Sequence, residues 1–126
     1  MKRGLREASA FLVVGGAAFV VGAACLEALT RIGVSPYLAQ VPTLALAIAT
    51  TWAGNRRWTF RVDAAPTWGE FGRYVAASLG GLLVNVLAFS GLTYAGVAAT
   101  PAFAAATIAA MGFNFLGYKF AVFARR

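Results

Sequence analysis

The feature that most constrains this chain is the spacing of its charges. No charged residue lies between Glu7 and Glu27, between Arg31 and Arg56, or between Arg73 and Lys119. A membrane-crossing helix needs about 20 predominantly apolar residues. The first two intervals each hold one such helix and the third holds two. The expected spans cover residues 8–29, 36–58, 71–95 and 102–122. Composition agrees: 60% of residues are hydrophobic, 12% are charged, and mean hydropathy is +0.73. A soluble domain of this size could not cover itself with so little polar surface.

Turn chemistry sets the limits of these spans. Gly33 and Gly96 stand where a helix should stop, because glycine takes the left-handed conformation at little cost. Ser35-Pro36 and Thr100-Pro101 each read as an N-cap hydroxyl followed by a proline at the first helical position. Thr67-Trp68-Gly69-Glu70 reads as a capping box ahead of the third span.

The net charge of +7 raises the possibility of a nucleic-acid binder, but such a protein needs a solvated basic face. Here the cations flank apolar runs. Lys2, Arg3 and Arg6 precede the first span, and Arg56, Arg57, Arg61 and Arg73 lie between the second and third. Lys119, Arg125 and Arg126 close the chain, so ten of eleven basic residues fall on one side and only Arg31 on the other. The positive-inside rule makes that side the cytoplasm, with both termini inside. Trp58, Phe60, Trp68 and Phe71 fit an aromatic belt at that interface, and Tyr37 and Tyr94 fit the outer one. The start of the chain also resembles a signal peptide, with Gly22-Ala23-Ala24-Cys25 a faint lipoprotein cleavage site. The charge count favours keeping the first segment as a span.

The chain repeats itself. Glu7 and Phe11 open one half, Glu70 and Tyr74 the other, at an offset of 63. Thr51-Trp52-Ala53-Gly54-Asn55-Arg56 ends the first half, with Phe60 beyond it. Asn114-Phe115-Leu116-Gly117-Tyr118-Lys119 ends the second, with Phe123 beyond it. The expected fold is therefore all-α and integral to the membrane. Its four transmembrane helices form two parallel two-helix repeats, about residues 7–61 and 70–126, within one domain. Repeats of this kind are common in transporters, where substrate binds at the repeat interface. Duplication retained only for packing is the other reading.

These residues resemble the GtrA family of small membrane proteins. The stretch from Asn55 to Phe60 (Asn-Arg-Arg-Trp-Thr-Phe) and its echo from Asn114 to Phe123 carry the resemblance. The four-span length, the short loop and the basic C-terminus support it, and it covers nearly the whole chain. Two positions depart from the family pattern: Thr51 stands where an asparagine like Asn114 is expected, and Tyr118 stands where the first half has Asn55. The resemblance implies a part in cell-surface polysaccharide synthesis at the bacterial cytoplasmic membrane. The expected activity is flipping of a polyprenyl-phosphate-linked sugar, or recycling of the polyprenyl phosphate carrier. The alternative is a non-transporting membrane anchor that recruits a glycosyltransferase.

A site for such a lipid needs cations and amides at headgroup depth. At 1.5 Å rise per residue, Asn114 lies roughly 20 Å and Lys119 roughly 27 Å below Pro101, while Asn55 and Arg56 lie roughly 29–30 Å below Pro36. Arginine suits phosphate through its planar fork. The candidate ligand-binding residues are Asn55, Arg56, Arg57, Arg73, Asn85, Asn114, Tyr118 and Lys119. The competing reading makes the cations topology-setting anchors that snorkel to headgroups, and the asparagines interhelical glue. Glu27 is a candidate for proton coupling or gating, since intramembrane acids are commonly functional. An ion pair with Arg31, four residues on, explains it equally. A small multidrug exporter would need its carboxylate deeper in the first span. No nucleophile–base set indicates an enzyme, and the absence of histidine and the single Cys25 leave little for a metal or cofactor. Membrane lipids and a second copy of the chain, as a dimer, are the other expected partners.

Overall fold

A computed structural model describes residues 2–124, so Arg125 and Arg126, counted above toward topology, lie outside the described residues. The described chain is helical, with no strand, and divides into two compact units that meet between Ala64 and Ala65. Each unit is a hairpin of two antiparallel helices. The first contains α1 (Lys2–Arg31) and α2 (Pro36–Gly54), the latter running on into a π turn over Asn55–Thr59. The second contains α3 (Trp68–Tyr94) and α4 (Ala99–Gly117), which runs on into a π turn over Tyr118–Val122.

Both hairpin turns are Schellman motifs. Gly33 has φ +97° and Gly96 has φ +98°, the left-handed geometry expected of them. The Val34 N–H donates to Leu29 O at 3.0 Å and Gly33 N–H to Thr30 O at 3.1 Å; Val97 to Leu92 and Gly96 to Thr93 repeat both bonds at the same lengths. These bonds satisfy carbonyls that a helix end otherwise leaves orphaned.

The helix starts follow expectation in part. Thr67 caps α3, its Oγ1 accepting from Glu70 N–H at 3.0 Å. Pro36 opens α2 at the first helical position, but the Ser35 hydroxyl makes no capping bond. Thr100 is not a cap at all: α4 begins at Ala99, two residues before Pro101, with Ala98 in the cap position. Pro101 then falls third in the helix, still within the turn whose N–H groups lack partners, so its missing donor costs nothing.

Three of the helices are long and apolar enough to cross a membrane: α1, α3, and α4 continued through Val122. This makes the chain an integral membrane protein. The second helix is the exception to four equal spans. Its 19 residues reach about 28 Å, close to the hydrocarbon thickness. It falls short in apolarity, because Gln40, two prolines and three threonines dilute it.

Small residues let each pair of helices approach. In the first hairpin Gly22 faces Thr43 and Ala47, and Val14 fills the notch at Gly54, where a Cβ would fall 2.7 Å from its Cγ1. In the second, Phe113 sits over Gly80, and a Cβ at Gly81 would overlap the Asn114 amide. Ala102, Ala106 and Ala110 form the buried stripe of α4.

Candidate functional site

The two π turns lie at the open ends of the hairpins, opposite the glycine turns. Each closes on a bond five residues long, Phe60 N–H to Asn55 O and Phe123 N–H to Tyr118 O, both 2.8 Å. In an α-helix a five-residue step overshoots a full turn by about 140°, so residues i and i+5 face apart. The wider π turn brings them to one side. Asn55, Thr59 and Phe60 are all buried, as are Tyr118, Val122 and Phe123. Turns of this kind cluster at functional sites. The residues between point outward: Arg57 and Trp58 are exposed in the first turn, and Phe120 and Ala121 in the second.

The turn thus divides the motif into an inner and an outer set. Asn55, 1% exposed, belongs to the inner set. Its Oδ1 accepts from Thr59 Oγ1 at 2.8 Å, a fully buried bond. Tyr118, at the corresponding place in the second hairpin, stacks on Tyr74 with ring centroids 4.1 Å apart. Its hydroxyl shares a hydrogen bond with Ser78 Oγ at 2.6 Å. Where the first half holds its turn with an amide and a hydroxyl, the second uses a phenol and a serine.

The cations are not equivalent. Arg56 donates to the Ala64 carbonyl and so holds the loop that follows its own turn. Arg6, counted above only toward topology, donates to the carbonyls of Trp58 at 3.0 Å and Thr59 at 3.1 Å. It clasps the end of the first turn from α1. Arg57 lies over the Trp58 ring, 5.5 Å from its centroid. The Lys119 Nζ stands 5.8 Å from the Phe115 ring and 5.7 Å from that of Phe120. Arg73, in the second turn of α3, is exposed and folds back toward Gly69. Arg57 and Arg73 therefore offer charge outward, the first against an aromatic face, whereas Lys119 is half-buried beside two rings.

Asn114 lies one turn deeper in α4, against Gly81. Its Oδ1 is buried and has no hydrogen-bond partner among the described residues, and neither has the buried Thr107 Oγ1 two turns further in. Leaving such an atom unpaired costs about 1–3 kcal/mol. Asn85 is half-buried near the middle of α3, four residues beyond Gly81 on the same face.

The carboxylates separate into two kinds. Glu27 pairs with Arg31 at 2.9 Å, with both side chains largely exposed near the turn end. Glu7 and Glu70 are buried, at 2% and 7% exposure. Arg3 approaches Glu7 at 3.9 Å. From the sequence, Glu7 bounds the first span, Glu70 closes the capping box and both mark the repeat, but neither stands out as a site residue. Their signal was nonetheless present: two of only four acids stand at matching places in an apolar chain. Among the described residues no three metal-ligating side chains come together.

The family model described as "GtrA/DPMS, transmembrane domain" matches residues 10–123. No curated protein sequence matches the chain.

Proposed function

The chain belongs to the GtrA/DPMS transmembrane-domain family, and from that premise we propose that it moves polyprenyl-phosphate-linked sugars, or returns the polyprenyl phosphate carrier, across the bacterial cytoplasmic membrane for cell-surface polysaccharide synthesis. Family membership suggests a part in lipid-linked sugar processes. The observation that carries the reading is the pairing of cations with aromatic rings at the open ends: the exposed Arg57 over Trp58, and Lys119 beside Phe115 and Phe120. Cations backed by aromatic rings suit an anionic headgroup at a membrane interface.

In this reading both termini and the Arg56–Arg73 loop are cytoplasmic, which places both open ends at the inner leaflet. Arg57 in the first hairpin, and Arg73 and Lys119 in the second, are each hairpin's cations for a phosphate. Asn114 and Asn85 offer amides to the sugar, while Asn55, Tyr118, Arg56 and Arg6 hold the turns in shape. The reading of the chain as two copies of one hairpin is supported by the matching Schellman bonds, π turns and buried acids at the offset of 63. A homodimer would enclose more volume than four helices alone. No catalytic role is assigned.

The test is transbilayer movement in proteoliposomes carrying a fluorescent short-chain polyprenyl-phosphate sugar. Movement faster than in protein-free vesicles, and lost in Arg57→Ala with Lys119→Ala, supports the proposal. Movement equal to that in empty vesicles overturns it. Co-purification of a glycosyltransferase in that case would establish the anchor reading instead.

A further inference from the structure

The first hairpin has an open groove along one side of the α1–α2 seam, with a volume of about 500 Å³. Ala10, Val13, Val14 and Ala17 line it from α1, and Thr50, Gly54 and Trp58 from α2 and its π turn. The α1 residues follow the i, i+3, i+4, i+7 pattern of a single helix face, so the groove runs about 10 Å along the helix. Its depth has a local cause. Ala10 and Ala17 carry little side chain, so the seam stays hollow beside the one large contact, which Val14 makes at Gly54.

The lining is almost wholly apolar. Its single hydroxyl, on Thr50, is spent on its own helix, donating to Leu46 O at 2.7 Å. A sugar would therefore lose its hydrogen bonds to water here and gain none, whereas an alkyl or prenyl chain loses nothing. One end of the groove is not neutral. Trp58 closes it at the open end of the hairpin, and the exposed Arg57 guanidinium lies over that ring. A chain lying in the groove with an anionic group at this end would place its head beside Arg57.

We propose that this groove binds the first isoprene units of a polyprenyl phosphate, with the phosphate held at Arg57 and the chain seated between Trp58 and Ala17. The inference rests on the function proposed above and adds to it a tail site built by the first hairpin alone. Complementarity of charge and chemistry identifies the occupant: one apolar chain with a compact anion directly at its end. A diacyl phospholipid carries its phosphate on a glycerol with two chains, a shape that a single groove with one cation at its mouth matches poorly.

Photolabelling in nanodiscs tests this without requiring transport. The probes are a diazirine-bearing farnesyl phosphate and a diazirine-bearing phosphatidylglycerol, with labelled peptides mapped by mass spectrometry. Farnesyl phosphate is expected to label residues 10–17 and 50–58 saturably, and excess phosphatidylglycerol should not displace it. Ala17→Trp fills the groove at a position exposed to lipid, where it disturbs no packing inside the hairpin, and should abolish that labelling. Arg57→Gln should weaken it about tenfold, the effect of losing one charge-assisted bond. Labelling spread over all exposed helix faces, displacement by phosphatidylglycerol, or labelling unchanged in both variants overturns the site. If the site labels as expected but the proteoliposomes show no movement, the groove stands and the transport function falls. If movement proceeds while the label lies elsewhere, the groove falls and the function stands.

Discussion

Gly81 and Asn114 form a pair whose volumes are set against each other. The asparagine occupies the space a Cβ at Gly81 would take. Sixty-three residues earlier stand Ala18, which is buried, and Thr51: one side chain larger, the other smaller. The missing asparagine at Thr51, which departs from the family pattern, thus has a steric counterpart on the facing helix. Gly81→Ala alone should destabilise the second hairpin by about 1–3 kcal/mol through overpacking. Adding Asn114→Thr, which copies the Ala18–Thr51 combination, should restore most of that loss. Thermal unfolding of the two single variants and the double variant in detergent checks this, and simple additivity of the two changes would refute the pairing. Asn114→Ala should cost little or even stabilise, because it removes a buried carbonyl without a partner among the described residues, a group whose burial costs about 1–3 kcal/mol.

At the scale of elements, the π turns are what the sequence hides best. The stretch from Asn55 to Phe60 reads as the continuation of a helix, and nothing in its composition announces a wider turn. The turn forms because three residues at i, i+4 and i+5 are buried together, which depends on the packing of α1 and not on local propensity. Thr59→Val removes the buried bond to Asn55 and should cost about 1 kcal/mol, read as a lowered unfolding midpoint. Arg6→Met removes the clasp on the carbonyls of Trp58 and Thr59. Faster hydrogen exchange confined to residues 55–64 is the expected result, since a turn that loses its partner opens locally. Gly33, Gly96 and the Thr67 cap were legible because each depends on its own residue type. Which arginines remain available to a ligand was not legible. Arg6 and Arg56 are taken up by backbone carbonyls, and a carbonyl leaves no mark in a sequence.

For the whole molecule, charge-free intervals were enough to read four helices, because the cost of burying a charge in hydrocarbon is large and leaves a plain pattern. They could not rank the helices. The second is the least apolar, which predicts that α2 inserts poorly when fused alone to a membrane-insertion reporter and well when preceded by α1. Orientation has an equally direct check. With Cys25→Ser as background, a membrane-impermeant maleimide applied to intact cells should label Ile32→Cys and Val97→Cys but spare Asp63→Cys. The reverse pattern would place both termini outside.

The contact between Arg57 and Trp58 gives the molecule a spectroscopic consequence. Of the three tryptophans, Trp58 alone lines the groove. A variant carrying Trp52→Phe and Trp68→Phe therefore emits from that wall only. Indole emission shifts to shorter wavelength as water leaves the ring, so the colour of this one residue's fluorescence reports, in real time and without a label, when the groove fills and when it empties.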